Sequence, residues 1–309
     1  MLTPGGFLLT MKFNKPAISI RQQLAIMESR GLAINDHAIA ERNLRFIGYF
    51  RLSGYALPFQ AHANADGTHS FIDNTQFENV IDLYFFDRCL RLLVIDALEK
   101  IVVGLRSLLN QHMSEQLGSH WYLNQAAFVP SFDHTEFITR IKSNIGHGKV
   151  RSSVRQSFIQ HYFKKYNAPE LPPGWMIFEI LSMGTVSKIF KNIPRELQKP
   201  IAKIFNVDPS VLASWIHSLS YLRNLAAHHQ RIWNRNFTIK PTKAKKYAEE
   251  FINSDCFYAQ AVMIQLLTKQ IDLHSDWGNS ISKLFDSHPS VAIRKLGFPK
   301  NWANREVWA

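Results

Sequence analysis

The chain has 309 residues, 46% of them hydrophobic, 12% aromatic and 19% charged. A chain of this length and apolar content can bury a sizeable core, which excludes wholesale disorder. Thirty-six Lys and Arg against 24 Asp and Glu leave a formal charge of +12, which points to a polyanionic partner, nucleic acid or an anionic surface, without choosing between them. Cys89 and Cys256 stand far apart, in no spacing for a disulfide scaffold, a zinc finger or a CxxC redox pair. Met1 to Thr10 lacks a basic n-region and its apolar run is too short for a secretory signal, while Met11 is an alternative start. The most apolar stretch, Cys89 to Leu109, is interrupted by Arg91, Asp96, Glu99, Lys100 and Arg106, so it cannot span a bilayer. These features predict a soluble, cytoplasmic protein with no membrane partner.

Helical spacing dominates. Ser19 to Arg30 reads as a short helix closed by Gly31, and Asp36 to Phe46 as a second. The aromatic stretch Gly48 to Tyr55 reads as a packing corner, with a stacking platform for RNA bases as the alternative. His62 to Ser70 is a polar loop, and pieces of Leu57 to Ile72 could pair as a small hairpin. Thr75-Gln76-Phe77-Glu78 has the form of a capping box. Apolar residues then recur every three or four positions from Phe77 to Leu109, and no proline intervenes before Gly118. This predicts a spine helix of about 40 residues. Its charged positions, including Asp87, Arg88, Arg91 and Asp96, need solvent or partners.

Further helices are predicted over Phe132 to Ile145, Val150 to Tyr166 (with Arg151, Arg155, Lys164 and Lys165), Trp175 to Lys191 and Pro194 to Phe205. Asp208-Pro209 supplies an N-cap and a first-turn proline for a helix running towards His229. A basic stretch, Lys240 to Lys246, precedes a helix over Tyr247 to Leu273 and a Trp-bearing end. The basic stretch reads as a solvated face, or as phosphate contacts given the net charge. The organisation is an N-terminal helical segment 1–74, a helical core 75–240 and a C-terminal extension 241–309, together one compact unit. The fold class is all-α, with at most short β elements.

No Gly-rich phosphate loop, HExxH, GxSxG or carboxylate cluster is present. The informative segment is Arg223-Asn224-Leu225-Ala226-Ala227-His228-His229, followed by Arg231 and Arg235. Asn224 and His228 are i,i+4 neighbours on a helix, with Arg223 one position round. These groups suit cleavage of an RNA phosphodiester. Histidine can deprotonate a 2′-hydroxyl or protonate the leaving oxygen. Arginine offers a fixed fork for charge on the phosphorane, and asparagine can orient either group. No metal or other cofactor is required. With 17 Arg, 13 His and 19 Asn in the chain, an Arg-Asn pair with His five positions after the Arg is expected about 0.04 times by chance. A polar helix end with capping or core-edge histidines is the alternative. His229 is the alternative imidazole, with His228 preferred on spacing. Glu99 and Arg106, seven apart on one face of the spine, are candidate supporting residues. Glu99 either holds Arg223 or His228 in place or makes a plain interhelical salt bridge.

Arg223-Asn224-Leu225-Ala226-Ala227-His228 resembles the R-N-x-x-x-H signature of HEPN ribonucleases. Other segments resemble the Abi-like (abortive infection) family, which carries that signature. They include Phe46 to Tyr55, Leu83 to Arg88 with Asp96 to Ile101, Leu171 to Met176, Glu179 to Thr185 and Ser214 to Leu219. The ordered set spans residues 15 to 240. The resemblance implies a HEPN-like helical bundle built on the long central helix, with additional N- and C-terminal helices. It also implies phage defence, metal-independent RNA cleavage leaving 2′,3′-cyclic phosphate and 5′-hydroxyl ends, and a homodimer with a composite active site. An antitoxin protein or RNA is a candidate partner. A non-catalytic RNA-binding or scaffold module is the alternative.

Overall fold

The computed structural model describes residues 16–63, 68–148, 156–272 and 274–308. The alternative starts at Met1 and Met11, the tip of the polar loop and the segment holding Arg151 and Arg155 lie outside the described residues. The chain divides into two compact units, residues 1–85 and 86–309, and the boundary falls inside the spine helix.

In the first unit, α1 (Ile20–Ser29) starts at Ser19. Its hydroxyl accepts from the Gln22 amide, and the Gln22 side chain accepts from the Ser19 amide, a closed capping box. The Asp36 carboxylate caps α2 (His37–Ile47) by accepting from the Ile39 amide at 2.9 Å. Gly48, at φ +93°, turns the chain directly into α3 (Tyr49–Ala56), a conformation that a side chain would strain. Leu52 and Tyr55 then point inward, and Tyr55 meets Tyr84 edge to face at 5.4 Å. Phe46 and Phe50 stay 78% and 91% exposed. The stretch is thus a packing corner on one side and an uncovered aromatic pair on the other.

The hairpin forms: β1 (Gln60–Ala63) pairs antiparallel with β2 (His69–Phe71), Gln60 opposite Phe71. The helix α4 (Phe77–Leu117) has 41 residues, as the spacing predicts. Its expected cap is corrected. The Thr75 hydroxyl donates backwards to the Ile72 carbonyl at 2.6 Å, so it is not turned towards the helix. Asn79 instead accepts from the Gln76 amide at 2.8 Å, a half-box displaced by one residue.

The second unit contains α4 from Phe86 onward and α5 (His134–Asn144), α6 (Ser157–Lys165), α7 (Gly174–Ile180), α8 (Met183–Asn192), α9 (Arg195–Ile204), α10 (Pro209–Ala227), α11 (Phe257–Ile271) and α12 (Trp277–Ser287). Phe86, Leu90, Val94, Leu98, Ile101, Leu105 and Leu109 bury one face of α4. The single helix expected over Trp175 to Lys191 is two. Leu181 is extended, and the Ser182 hydroxyl accepts from the Thr185 amide to start α8 afresh. The helix expected over Tyr247 to Leu273 is likewise a 3-10 stretch (Lys245–Phe251), a turn and then α11. Eleven of the 15 residues of α11 are buried, and its Gln260 bonds Ser218 of α10. The architecture is a mostly-α bundle with one two-stranded sheet among the described residues. No described helix is long and apolar enough to cross a membrane.

Candidate functional site at the end of α10

The helix α10 begins at Asp208, which accepts from the amide (2.8 Å) and hydroxyl (2.7 Å) of Ser210, with Pro209 in the first helical position. These hydrogen bonds, together with Arg195, hold the Asp208 carboxyl down at about 2. Trp215, Ile216, Leu219, Leu222, Leu225 and Ala226 bury the inner face. Arg223, Asn224 and His228 are exposed on the outer one.

The helix stops at His228 for a specific reason. The His229 amide donates to the Ala226 carbonyl at 3.1 Å and the Gln230 amide to the Leu225 carbonyl at 2.9 Å, with His229 at φ +57°. This is a Schellman termination with histidine in the left-handed position that glycine usually takes. His228 is therefore the capping residue, its imidazole outside the core, while His229 serves the turn. The helix end presents carbonyls, which favour cations such as a protonated imidazole, so any attraction for phosphate there comes from side chains.

The loop after the turn is anchored. Asp87, buried on α4, accepts from the Trp233 amide at 2.7 Å and the Ile232 amide at 3.0 Å. The same carboxylate pairs with buried Arg91 one turn further along α4. Arg235 closes the loop on itself, its Nε donating to the Arg231 carbonyl at 2.7 Å and its Nη2 to Gln230 Oε1 at 3.3 Å. Of the charged positions on the spine, Asp87 thus holds the motif's loop with Arg91 as its ion partner, while Arg88 and Asp96 are exposed to solvent. Asp87 and Arg91 belong to the site's support, although sequence reading gave them no role there. The one signal was two opposite charges four apart on an apolar stretch.

Arg223 Nη1 donates to Asn224 Oδ1 at 3.4 Å, a long contact that links the two. Arg106 of α4 is half-buried and donates to the Leu181 carbonyl, the group released by the break between α7 and α8. Burial lowers the Arg106 guanidinium, the Glu179 carboxylate partly offsets this, and Arg223 lowers it further. Two guanidiniums therefore feel one another across this surface, with Glu179 as the compensating charge. The Arg106 Nε is buried without a hydrogen-bond partner among the described residues. Glu99 is exposed and makes no ion pair within 4.0 Å with Arg106, Arg223 or His228. The structure thus groups Arg106 electrostatically with Arg223 and leaves Glu99 apart from them. Among the described residues no three His, Cys, Asp or Glu stand close enough to hold a metal ion.

A family model described as Abi-like protein matches residues 42–234, ending one residue after the Asp87-anchored Trp233. No curated protein and no solved structure matches the chain. The match covers more than half of the sequence, including α10 and the part of α4 that carries Asp87 and Arg106: the chain belongs to the Abi-like family.

Proposed function

We propose that the protein is an abortive-infection endoribonuclease of the HEPN type, cleaving RNA without a metal. Membership of the Abi-like family points to abortive-infection defence. The observation that carries the chemistry is the exposure of Arg223, Asn224 and His228 together at one end of α10, over a loop fixed by buried Asp87. The 2′-oxygen attacks the adjacent phosphorus, the new P–O bond forms, and the bond to the 5′-oxygen breaks. One His228 removes the proton from the 2′-hydroxyl, and the His228 of a second copy protonates the leaving oxygen. Arg223 stabilises the phosphorane, Asn224 positions it, and Arg106 adds positive charge.

The second copy has a surface to meet. Leu92, Ile95 and Val103 of α4 are 52%, 36% and 57% exposed. Their spacing places them on the same helix face as Arg106. Exposed Glu99 lies on this face as well, and uncovered apolar residues around one carboxylate, leading to a site cation, fit a two-fold dimer in which two motif sets share one groove.

The test is cleavage of single-stranded RNA in EDTA by the wild type, His228→Ala and Arg223→Ala. A loss of about 100-fold or more for His228→Ala supports the proposal. Equal cleavage by the wild type and His228→Ala, or dependence on added metal, contradicts it.

A further inference from the structure

The basic stretch Lys240 to Lys246 lies away from the motif, at the N-terminal end of α10. There it forms a wall of a recess of about 720 Å³. Lys243, Lys245 and Lys246 line it from this side, Lys199 and Lys203 from α9, and Ser210 from the first turn of α10. All five lysines are exposed. Lys199 and Lys246 make 3.6 Å ion pairs with Glu196 and Glu306, Lys246 also lies over the Tyr247 ring at 5.0 Å, and the other three make no ion pair within 4.0 Å among the described residues. The one acidic residue of the lining, Asp208, is already engaged by Ser210 and by Arg195 at 2.7 Å.

This wall is built into the core. The buried Trp215 Nε1 donates to the Thr242 carbonyl at 2.9 Å, and the Thr242 amide donates to Ser214 Oγ at 2.8 Å. Trp215 itself stacks on Phe251 at 5.5 Å. The backbone that carries the lysines is therefore held in register with α10. Five like charges converging on one concavity repel each other, and an anion with several closely spaced charges relieves that repulsion.

We propose that the recess binds a run of closely spaced phosphate groups, as carried by an RNA strand or by a free polyphosphate. Its place on α10 favours the strand. Ser210, His217, Asn224 and His228 fall within about 40° of one another around the helix and span about 27 Å along it. Between the ends, His217 lines a groove with Lys188 and Lys191, whose far side carries Asp133 and Glu136, the first accepting from the Glu136 amide and the second paired with Arg140. A strand seated in the recess would follow this stripe to His228. That last step rests on the nuclease reading, whereas phosphate binding in the recess does not.

The experiment compares Lys203→Ala/Lys243→Ala/Lys245→Ala with the unaltered chain, using two probes. Fluorescence anisotropy in EDTA follows a labelled single-stranded RNA of about 15 nucleotides, in a His228→Ala background so that the probe stays intact. Calorimetry follows inorganic tripolyphosphate on the wild type and on the triple lysine variant, both with His228 intact. The triple variant should bind RNA at least about 10-fold more weakly, with the slope of log K against log salt reduced by about 2. Lys203→Arg/Lys243→Arg/Lys245→Arg should retain binding, and Arg223→Ala should leave the tripolyphosphate affinity unchanged. Loss for both probes supports the shared chemistry, loss for RNA alone assigns the strand, and loss for tripolyphosphate alone assigns a free ligand. Unchanged affinity and salt slope for both probes overturns the proposal. Lysine-dependent binding by a wild type that cleaves no RNA would sink the nuclease reading and leave the recess standing. Cleavage with no lysine dependence would do the reverse.

Discussion

The carboxylate of Asp87 accepts the backbone amide of Trp233 at 2.7 Å, joining the first third of a 41-residue helix to the loop that follows the Arg223–His228 motif. Asp87 is fully buried and shares its charge with Arg91. Removing Asp87 strips two buried amides of their acceptor and takes the carboxylate from beside buried Arg91. Asp87→Ala should therefore destabilise the protein by about 3–5 kcal/mol in urea unfolding. Asp87→Asn keeps an acceptor for the loop and should fold, but with lower RNA turnover and unchanged RNA affinity. An Asp87→Ala protein as stable as the wild type would show that the loop is held in some other way.

His228 and His229 are neighbours with different tasks, and substitution separates them. His229 sits at φ +57°, where glycine is at ease and a β-branched side chain is not. His229→Gly should be more stable than His229→Val by about 1–2 kcal/mol, read from thermal midpoints. His229→Gly should also retain RNA cleavage, which His228→Ala should lose. Loss of cleavage in His229→Gly alone would transfer the acid–base role to His229.

Dimerisation should depend on the outer face of α4. Leu92→Glu/Val103→Glu places two charges on its exposed apolar stripe, where they cost little in the monomer. Sedimentation should then show a folded monomer, with native circular dichroism and at least about 10-fold less cleavage. A dimer that survives the change would place the interface elsewhere.

Acid should remove the cap of α10. The Asp208 carboxyl is held at about 2, below the usual 3.8, by Ser210 and Arg195. A carboxyl whose folded value is depressed gives stability above its unfolded value and loses it as pH falls through the folded one. The cap is exposed and screened, so its contribution is about 1 kcal/mol or less. The melting temperature of Asp208→Ala should fall below wild type at about pH 6, and the gap should close between about pH 4 and 2. A gap that stays constant over this range would mean that the carboxylate is not what caps the helix.

Much of this was legible in residue spacing. The spine's length followed from its apolar period, and the start of α10 from Asp208-Pro209. The break at Leu181-Ser182 was not, because the apolar pattern continues across it and the Ser182 cap competes with helix continuation. The same competition displaced the expected cap at Thr75, whose hydroxyl found a nearer carbonyl in Ile72. Within the site, Arg223, Asn224 and His228 could be named from sequence. The role of Asp87 could not, because its partners are backbone amides 145 and 146 residues away. The lysine recess was visible as a charge run, but its concavity depends on Trp215 fixing the Thr242 backbone.

The most direct measurement is the mass of the RNA fragments released by the purified wild type in EDTA, with His228→Ala alongside. Attack by the 2′-hydroxyl predicts upstream fragments ending in a 2′,3′-cyclic phosphate and downstream fragments beginning with a 5′-hydroxyl, both absent with His228→Ala. Fragments with 3′-hydroxyl and 5′-phosphate ends, or the same products from His228→Ala, would contradict it.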